Sequence, residues 1–152
     1  MALSIRPVTR PVTRADKPRW AMLWQGYLAF YDTVLPPEVY DATFEAFFAD
    51  DPHSPRCLVA EDNGHVLGLV HYVFHAHCWR PEGVCYLQDL FTDSTARGQG
   101  VGRALIEAVY HASDARGVST VYWMTQDFNH TARKLYDSVG QVTPFVKYTR
   151  PA

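Results

Sequence analysis

The sequence predicts an α/β fold in which one mixed β-sheet carries helices on both faces. Three observations predict it. Strand-length apolar runs alternate with helical periodicities in the order β-α-α-β-β-β-α-β-α-β. An Asn63-Gly64 pair between two apolar runs marks a tight hairpin. A glycine-rich stretch, Arg97-Gly98-Gln99-Gly100-Val101-Gly102-Arg103, joins a strand apolar on both faces to an amphipathic helix.

Leu3 to Val8 read as the first strand, which Pro7 confines to an edge or an end. Over 17–32, Trp20, Leu23, Trp24, Tyr27, Leu28 and Tyr31 recur at helical steps, and Pro18 suits a first turn. Pro36 and Pro37 open a second helix, with Val39, Tyr40, Phe44, Phe47 and Phe48 as its apolar stripe. Cys57–Glu61 and Val66–His75 are the hairpin strands, and Val84–Thr92 is the central strand. Val101, Leu105, Ala108, Val109 and Ala112 give a third helix, and Thr120–Met124 a further strand. Asn129 caps a fourth helix bearing Ala132, Leu135, Tyr136 and Val139, which Gly140 ends in the left-handed region. A last strand is expected within Val142–Tyr148.

The 152 residues, 47% of them apolar and 14% aromatic, are enough for one domain over 1–152 with an ordinary core, which excludes full disorder. Lys and Arg number 14 against 16 Asp and Glu, and this slightly acidic balance speaks against broad nucleic-acid binding. Apolar runs are too short to cross a membrane, and the amino terminus lacks a signal peptide's apolar core, so a membrane partner is not expected. Cys57, Cys78 and Cys85 are odd in number and form no Cys-x-x-Cys pair, as expected of free, buried thiols in a cytoplasmic protein. Arg6-Pro-Val-Thr is repeated at once as Arg10-Pro-Val-Thr, with no function attached.

Glycines between strand and helix let the main chain approach a ligand, and the unpaired N–H groups of a helix start suit a phosphate. The loop is not a Walker loop, because no Lys-Ser or Lys-Thr follows it, and its spacing is not that of the dinucleotide fingerprint. Taken alone it also reads as a turn that merely starts a helix.

Arg97-x-x-Gly100-x-Gly102 follows Cys85-Tyr86-Leu87-Gln88-Asp89-Leu90-Phe91-Thr92, and Asn129 then precedes Leu135-Tyr136-x-x-x-Gly140. In this order the segments resemble the GNAT superfamily of acetyl-CoA-dependent N-acetyltransferases, from about Cys57 to Tyr148, whereas the amino-terminal helices agree only in placement. Tyr86–Phe91 is similar to the branch holding spermidine/spermine and small histone or amino-acid acetyltransferases. The resemblance implies a mixed sheet of six to seven strands with about four helices. It implies acetyl-CoA as co-substrate, with no metal. Main-chain N–H groups of Gly98, Gln99, Gly100, Val101, Gly102 and Arg103 would hold the pyrophosphate, with a charge from Arg97 or Arg103. Pantetheine would pair near Leu90, Phe91 and Thr92, and Asn129 and Ala132 would touch the same cofactor. Direct transfer to a small amine or a peptide amine follows, as does a homodimer.

Transfer from a thioester to an amine requires an unprotonated nitrogen and a donor for the departing thiolate. By the resemblance Tyr136 is that donor; by periodicity it is a core aromatic. Polyamine acetyltransferases of this branch carry glutamate where Gln88 stands, and an amide cannot take a proton, so polyamine specificity is not expected. Gln88 would orient a water while Asp89 or a histidine takes the proton. A chain lacking a competent base would instead be a non-catalytic acyl-CoA sensor or interaction module. His71, His75 and His77 share one strand face by period two; sheet-face, pocket and zinc roles all fit that row. Glu38, Asp41 and Glu45 form an acidic stripe read as solvated surface or as a rim attracting a cation.

Overall fold

The computed structural model describes residues 6–152. Its first strand, β1 (Val8–Pro11), lies later than expected, and residues 3–5 of the predicted Leu3–Val8 strand fall outside the described residues. Two helices follow, α1 (Lys17–Phe30) and α2 (Pro37–Ala46), then β2 (Arg56–Asp62), β3 (His65–His77) and β4 (Arg80–Thr92). The chain closes with α3 (Val101–Ala115), β5 (Val121–Tyr122) and α4 (His130–Val139). The sheet order is β1-β2-β3-β4-β5, antiparallel except for the parallel pair β4–β5. The hairpin turns through Asn63 and Gly64, with φ of 49° and 79°, the positive pair a two-residue turn of this kind needs.

Alternation along the strands sorts side chains into two cores. Cys57, Val59 and Leu69 face α1 and α2, where Trp20, Leu23, Trp24 and Phe44 close over them. Leu58, Ala60, Val70 and Cys85 face the other way, under Val101, Leu105, Ile106 and Val109 of α3. Two of the three acidic residues on α2 form surface ion pairs while staying largely exposed: Asp41 meets Lys17 and Glu45 meets Arg14, each at 2.8 Å.

Two expectations at the carboxyl end are corrected. The sheet has five strands among the described residues, not six to seven, because 142–148 carry no regular structure. No strand of the same chain lies against them, and an unpaired segment has no ladder to join. Gly140 is extended, with φ of −145°, rather than left-handed. Its lack of a side chain serves close packing, since a Cβ there would lie 2.7 Å from the Trp123 ring.

Asp93 fastens the end of β4. Its carboxylate accepts from Thr95 N and from Arg19 Nη2 of α1 at 2.6 Å, and the Thr95 amide first, then Arg19, hold its pKa down to about 2. A carboxyl lowered by folding stabilises the fold above the ordinary carboxylate range near 3.9 and loses that contribution as pH falls toward its folded value. Asp93→Ala is therefore expected to cost about 1 kcal/mol at pH 7, the usual scale for a lost cap. Chemical denaturation should find the variant and parent converging between about pH 4 and 2.

Candidate active site

The glycine loop is open where a phosphate would sit. Gly98 and Gly100 have φ of 74° and 84°, and a Cβ on either would meet nothing within 4 Å. The first bond of α3 is Ala104 N to Gly100 O, so the N–H groups of Val101, Gly102 and Arg103 precede the helical ladder, and no side chain caps them. Gln99, like both glycines, is exposed. Gly68 of β3 lies beneath: a Cβ there would be 2.8 Å from Val101, so its absence lets the helix start settle on the sheet. This glycine was missed in the sequence, where it lies inside an apolar run without a turn signal. Arg97 Nε–H donates to Thr92 O at 3.3 Å, and its guanidinium lies 5.5 Å from the Phe91 ring centre. Arg103 instead ties α3 to Ser138 of α4 at 2.7 Å.

The strand leading to this loop has a free edge. β5 pairs with β4 only at Cys85–Val121 and Tyr86–Tyr122, so from Leu87 through Leu90, Phe91 and Thr92 that side of β4 has no partner strand among the described residues. A pantetheine arm, with its two amides, matches such an edge, and a pyrophosphate matches the helix start beyond it. These residues fit coenzyme A. Across the gap stands α4. Asn129 Oδ1 accepts from Ala132 N at 3.4 Å while its Nδ2 donates to Thr125, so its side chain is first of all a helix cap. Tyr136 is half-buried against Trp123, with ring centres 5.7 Å apart, and burial first, then Tyr31, pushes its phenol up to about 12.

On the α1 side lies a buried polar chain. The β3–β4 register skips Gln88, since His71 opposes Asp89 and Tyr72 opposes Leu87, which makes Gln88 the extra residue of a bulge. Gln88 is thereby exposed while Asp89 turns inward. Trp20 Nε1–H donates to His71 Nε2 at 2.9 Å, and His71 Nδ1 bonds Asp89 Oδ2 at 2.8 Å. Trp24 Nε1–H donates to the same oxygen at 3.3 Å. An indole nitrogen can only donate, so His71 Nε2 must accept and its proton sits on Nδ1, directed at the carboxylate. Burial first, then the Asp89 charge, raises the phenol pKa of Tyr27 and of Tyr31. Trp24, Phe47, His71, Gln88 and Asp89 help line a cavity of about 330 Å³ beside α2.

The histidine row is thus divided. His71 is enclosed with Asp89, His75 Nε2 bonds the Tyr122 hydroxyl at 2.7 Å, and His77 Nδ1 accepts from Trp79 N. The cysteines also differ from expectation. Cys57 and Cys85 are buried, but Cys78 is exposed in the β3–β4 turn.

A family model described as the acetyltransferase (GNAT) family matches residues 20–140. The chain belongs to the GNAT family of acetyltransferases. This acetyltransferase is 38% identical over 146 residues to the D-amino-acid N-acetyltransferase HPA3 of Saccharomyces cerevisiae, covering 95% of this chain and 91% of that one. It is 27% identical over 141 residues to an N-acetyltransferase of Bacillus subtilis, YhfO, covering 91% and 93%. Among solved structures, the aminoglycoside acetyltransferase AAC(6')-Iy, in complex with a CoA-based bisubstrate analog, superposes with a TM-score of 0.81 at 19% identity, over 97% and 99% of the two chains. The enzyme uses acetyl-CoA as co-substrate to acetylate an amine, and the reading as a mere acyl-CoA sensor falls away.

Proposed function

We propose that this N-acetyltransferase acetylates small primary amines, amino acids foremost, by direct transfer within a ternary complex, with Asp89 as the group that receives the amine proton. One observation carries the reading: Asp89, whose Oδ2 is held by His71 and Trp24, is the one carboxylate among the polar groups lining the cavity. His71 Nε2 is occupied by the Trp20 indole, and the Gln88 amide has no basic lone pair to offer. The carboxylate attracts the ammonium form of the substrate and takes one proton from it, which frees the nitrogen lone pair; the nitrogen then bonds to the acetyl carbon, the C–S bond breaks to release the CoA thiolate, and the second nitrogen proton passes to that thiolate through solvent. Gln88, exposed on the same wall, orients the nitrogen or a water beside it.

Acetyl-CoA brings the acetyl group as a thioester. Gly98 to Arg103 hold its diphosphate, the Leu90–Thr92 edge holds its pantetheine, and the first turn of α4, with Asn129 and Ala132, borders it. Tyr136 donates a hydrogen bond toward the sulfur. Its phenol, at about 12, stands about three units above an ordinary thiol, so the O–H stabilises developing charge and keeps its own proton. Direct transfer is supported by the cysteines: burial pushes the Cys57 thiol up and that of Cys85 to about 11, and Cys78, though exposed, sits in the β3–β4 turn and is not among the residues lining the cavity.

A cavity of about 330 Å³ is near the lower end of the roughly 300–1,000 Å³ typical of ligand sites, which suits a small acceptor. The relative in Saccharomyces cerevisiae, whose name specifies D-amino acids, makes these the first acceptors to test. Free thiols support a cytoplasmic setting, and no helix among the described residues is long and apolar enough to cross a membrane. The enzyme acts as a homodimer in this reading, supported by the uncovered outer edge of β5.

The test is thiol release from acetyl-CoA across D- and L-amino acids, polyamines, aminoglycosides and basic peptides. Amino acids should give the highest kcat/KM; a preference for spermidine would overturn the acceptor assignment. The cradle is tested separately by Gly100→Ala. A left-handed alanine costs about 1–2 kcal/mol of stability, and its Cβ enters the space assigned to the diphosphate. Calorimetry should find acetyl-CoA binding at least about 10-fold weaker, with the fold intact, as expected when backbone approach is blocked.

A further inference from the structure

The face of the sheet that carries Asp89 continues onto β5. Tyr86 opposes Val73 and Asp89 opposes His71, two residues apart on β3, so the bulge at Gln88 brings Tyr86 and Asp89 onto one face, about 7 Å apart along the strand. In an unbroken strand, residues three apart would point to opposite faces. On β5, Val121 and Trp123 turn into the core under α3, which leaves Tyr122 on the Asp89 side. The parallel register then sets Tyr122 beside Tyr86.

There the two phenol rings stack, with centres 4.8 Å apart and planes within 11°. The neutral His75 ring fixes the outer one. Its Nδ1–H donates to Ala76 O at 2.9 Å, which leaves Nε2 to accept from the Tyr122 O–H at 2.7 Å. Gly83, with φ of 82°, lets β4 close on this histidine, since a Cβ there would lie 2.7 Å from His75 O. The stack is nevertheless open to solvent, with Tyr122 37% and the nearby Met124 46% exposed. Burial first, then Tyr122 and the Asp89 charge, raises the Tyr86 phenol, so this ring lies within the field of the same carboxylate. A fixed, open pair of rings beside the group that draws the amine is a surface for an apolar or aromatic side chain.

We infer that the Tyr86–Tyr122 stack is the subsite that receives the side chain of the acceptor, with His75 as a positioning residue for Tyr122, and that it selects aromatic and large apolar side chains over alanine and over acidic ones. The inference rests on the reading of Asp89 as the group that draws the amine. With the nitrogen there, a side chain running along β4 meets the rings within about 7 Å. An apolar side chain gains by leaving water against them. An acidic one meets the negative ring faces and the Asp89 charge together. Neither ring lines the cavity beside α2, so the stack adds apolar surface to the acceptor site.

The test is thiol release at saturating acetyl-CoA with two acceptor pairs, phenylalanine against alanine and phenethylamine against propylamine, with lysine and aspartate alongside. The parent should favour the aromatic member of each pair by about tenfold or more in kcat/KM, chiefly through KM. Tyr122→Ala, its fold checked by circular dichroism, should lower that preference about tenfold. His75→Leu should lower it in part, whereas His75→Gln, whose carbonyl oxygen can still accept from the Tyr122 O–H, should restore it. The same split between the two His75 variants decides the matter should Tyr122→Ala fail to fold. A parent without the aromatic preference, a preference that survives these changes, or a preference for lysine overturns the subsite and leaves the acceptor reading standing. Turnover of phenethylamine with no amino acid acetylated overturns the amino-acid reading, and the amine pair then decides the subsite alone. No turnover of any of these acceptors overturns both.

Discussion

Replacement of Asp89 by asparagine is expected to lower kcat/KM for the acceptor amine by about 10²- to 10⁴-fold at pH 7, the range over which a positioned base contributes. Asparagine keeps the shape and one carbonyl oxygen, which can still accept from His71 Nδ1–H and Trp24 Nε1–H, so the buried chain stays satisfied. The lost property is the capacity to take a proton and to attract a cation. Substrate nitrogens deprotonate unaided as pH approaches about 10, so the deficit should shrink as pH rises from 7 to 10. A variant with the parent's rate and the parent's pH profile would remove Asp89 from the mechanism. Trp20→Phe probes the same chain from its far end. Without the indole donor, His71 Nε2 is left as a buried acceptor with no partner, and chemical denaturation should find the variant about 1–3 kcal/mol less stable.

Tyr136→Phe should lower kcat by about 10²-fold, the scale of removing one preorganised donor from a developing charge. KM for acetyl-CoA should change little, because the loop and the strand edge are untouched. The phenyl ring keeps its contact with Trp123, so the melting temperature should stay within a few degrees. The pH profile separates this role from a proton transfer. Folding raises the phenol to about 12, so its O–H is intact through the working range. Any alkaline limb of the parent near pH 9 or 10 should therefore persist in Tyr136→Phe. Unchanged kcat, or an alkaline limb that vanishes with the hydroxyl, would overturn the assignment.

Much of the site was legible because its parts are local. A glycine run between an apolar strand and an amphipathic helix is a statement about adjacent residues, and Gly98 and Gly100 adopt the positive angles that such a run permits. The Asn63-Gly64 hairpin is legible for the same reason. The polar chain under Asp89 is different. Trp20, Trp24, Tyr27 and Tyr31 recur at steps of four, three and four along α1 and its carboxyl-terminal cap, and this spacing by itself reads only as one face of a helix. The overlooked signal is that every ring in that stripe carries an N–H or O–H, whereas a purely apolar stripe would be built from Leu and Phe. Their acceptors, His71 and Asp89, lie 51 and 65 residues away along the chain from Trp20 and Trp24. No periodicity within α1 contains that pairing.

The sequence by itself determined the order of elements as far as α4, the hairpin and the glycine run at the start of α3, since each follows from neighbouring residues and their backbone preferences, while acyl transfer came from the family resemblance of those segments. Only the tertiary structure decided which side of β4 Asp89 faces, because a single bulged residue at Gln88 resets the alternation. It also decided the fate of 142–148, whose residues favour a strand but find no ladder within their own chain. Strand propensity is a property of the segment, whereas a strand exists only where a second edge is present to bond it.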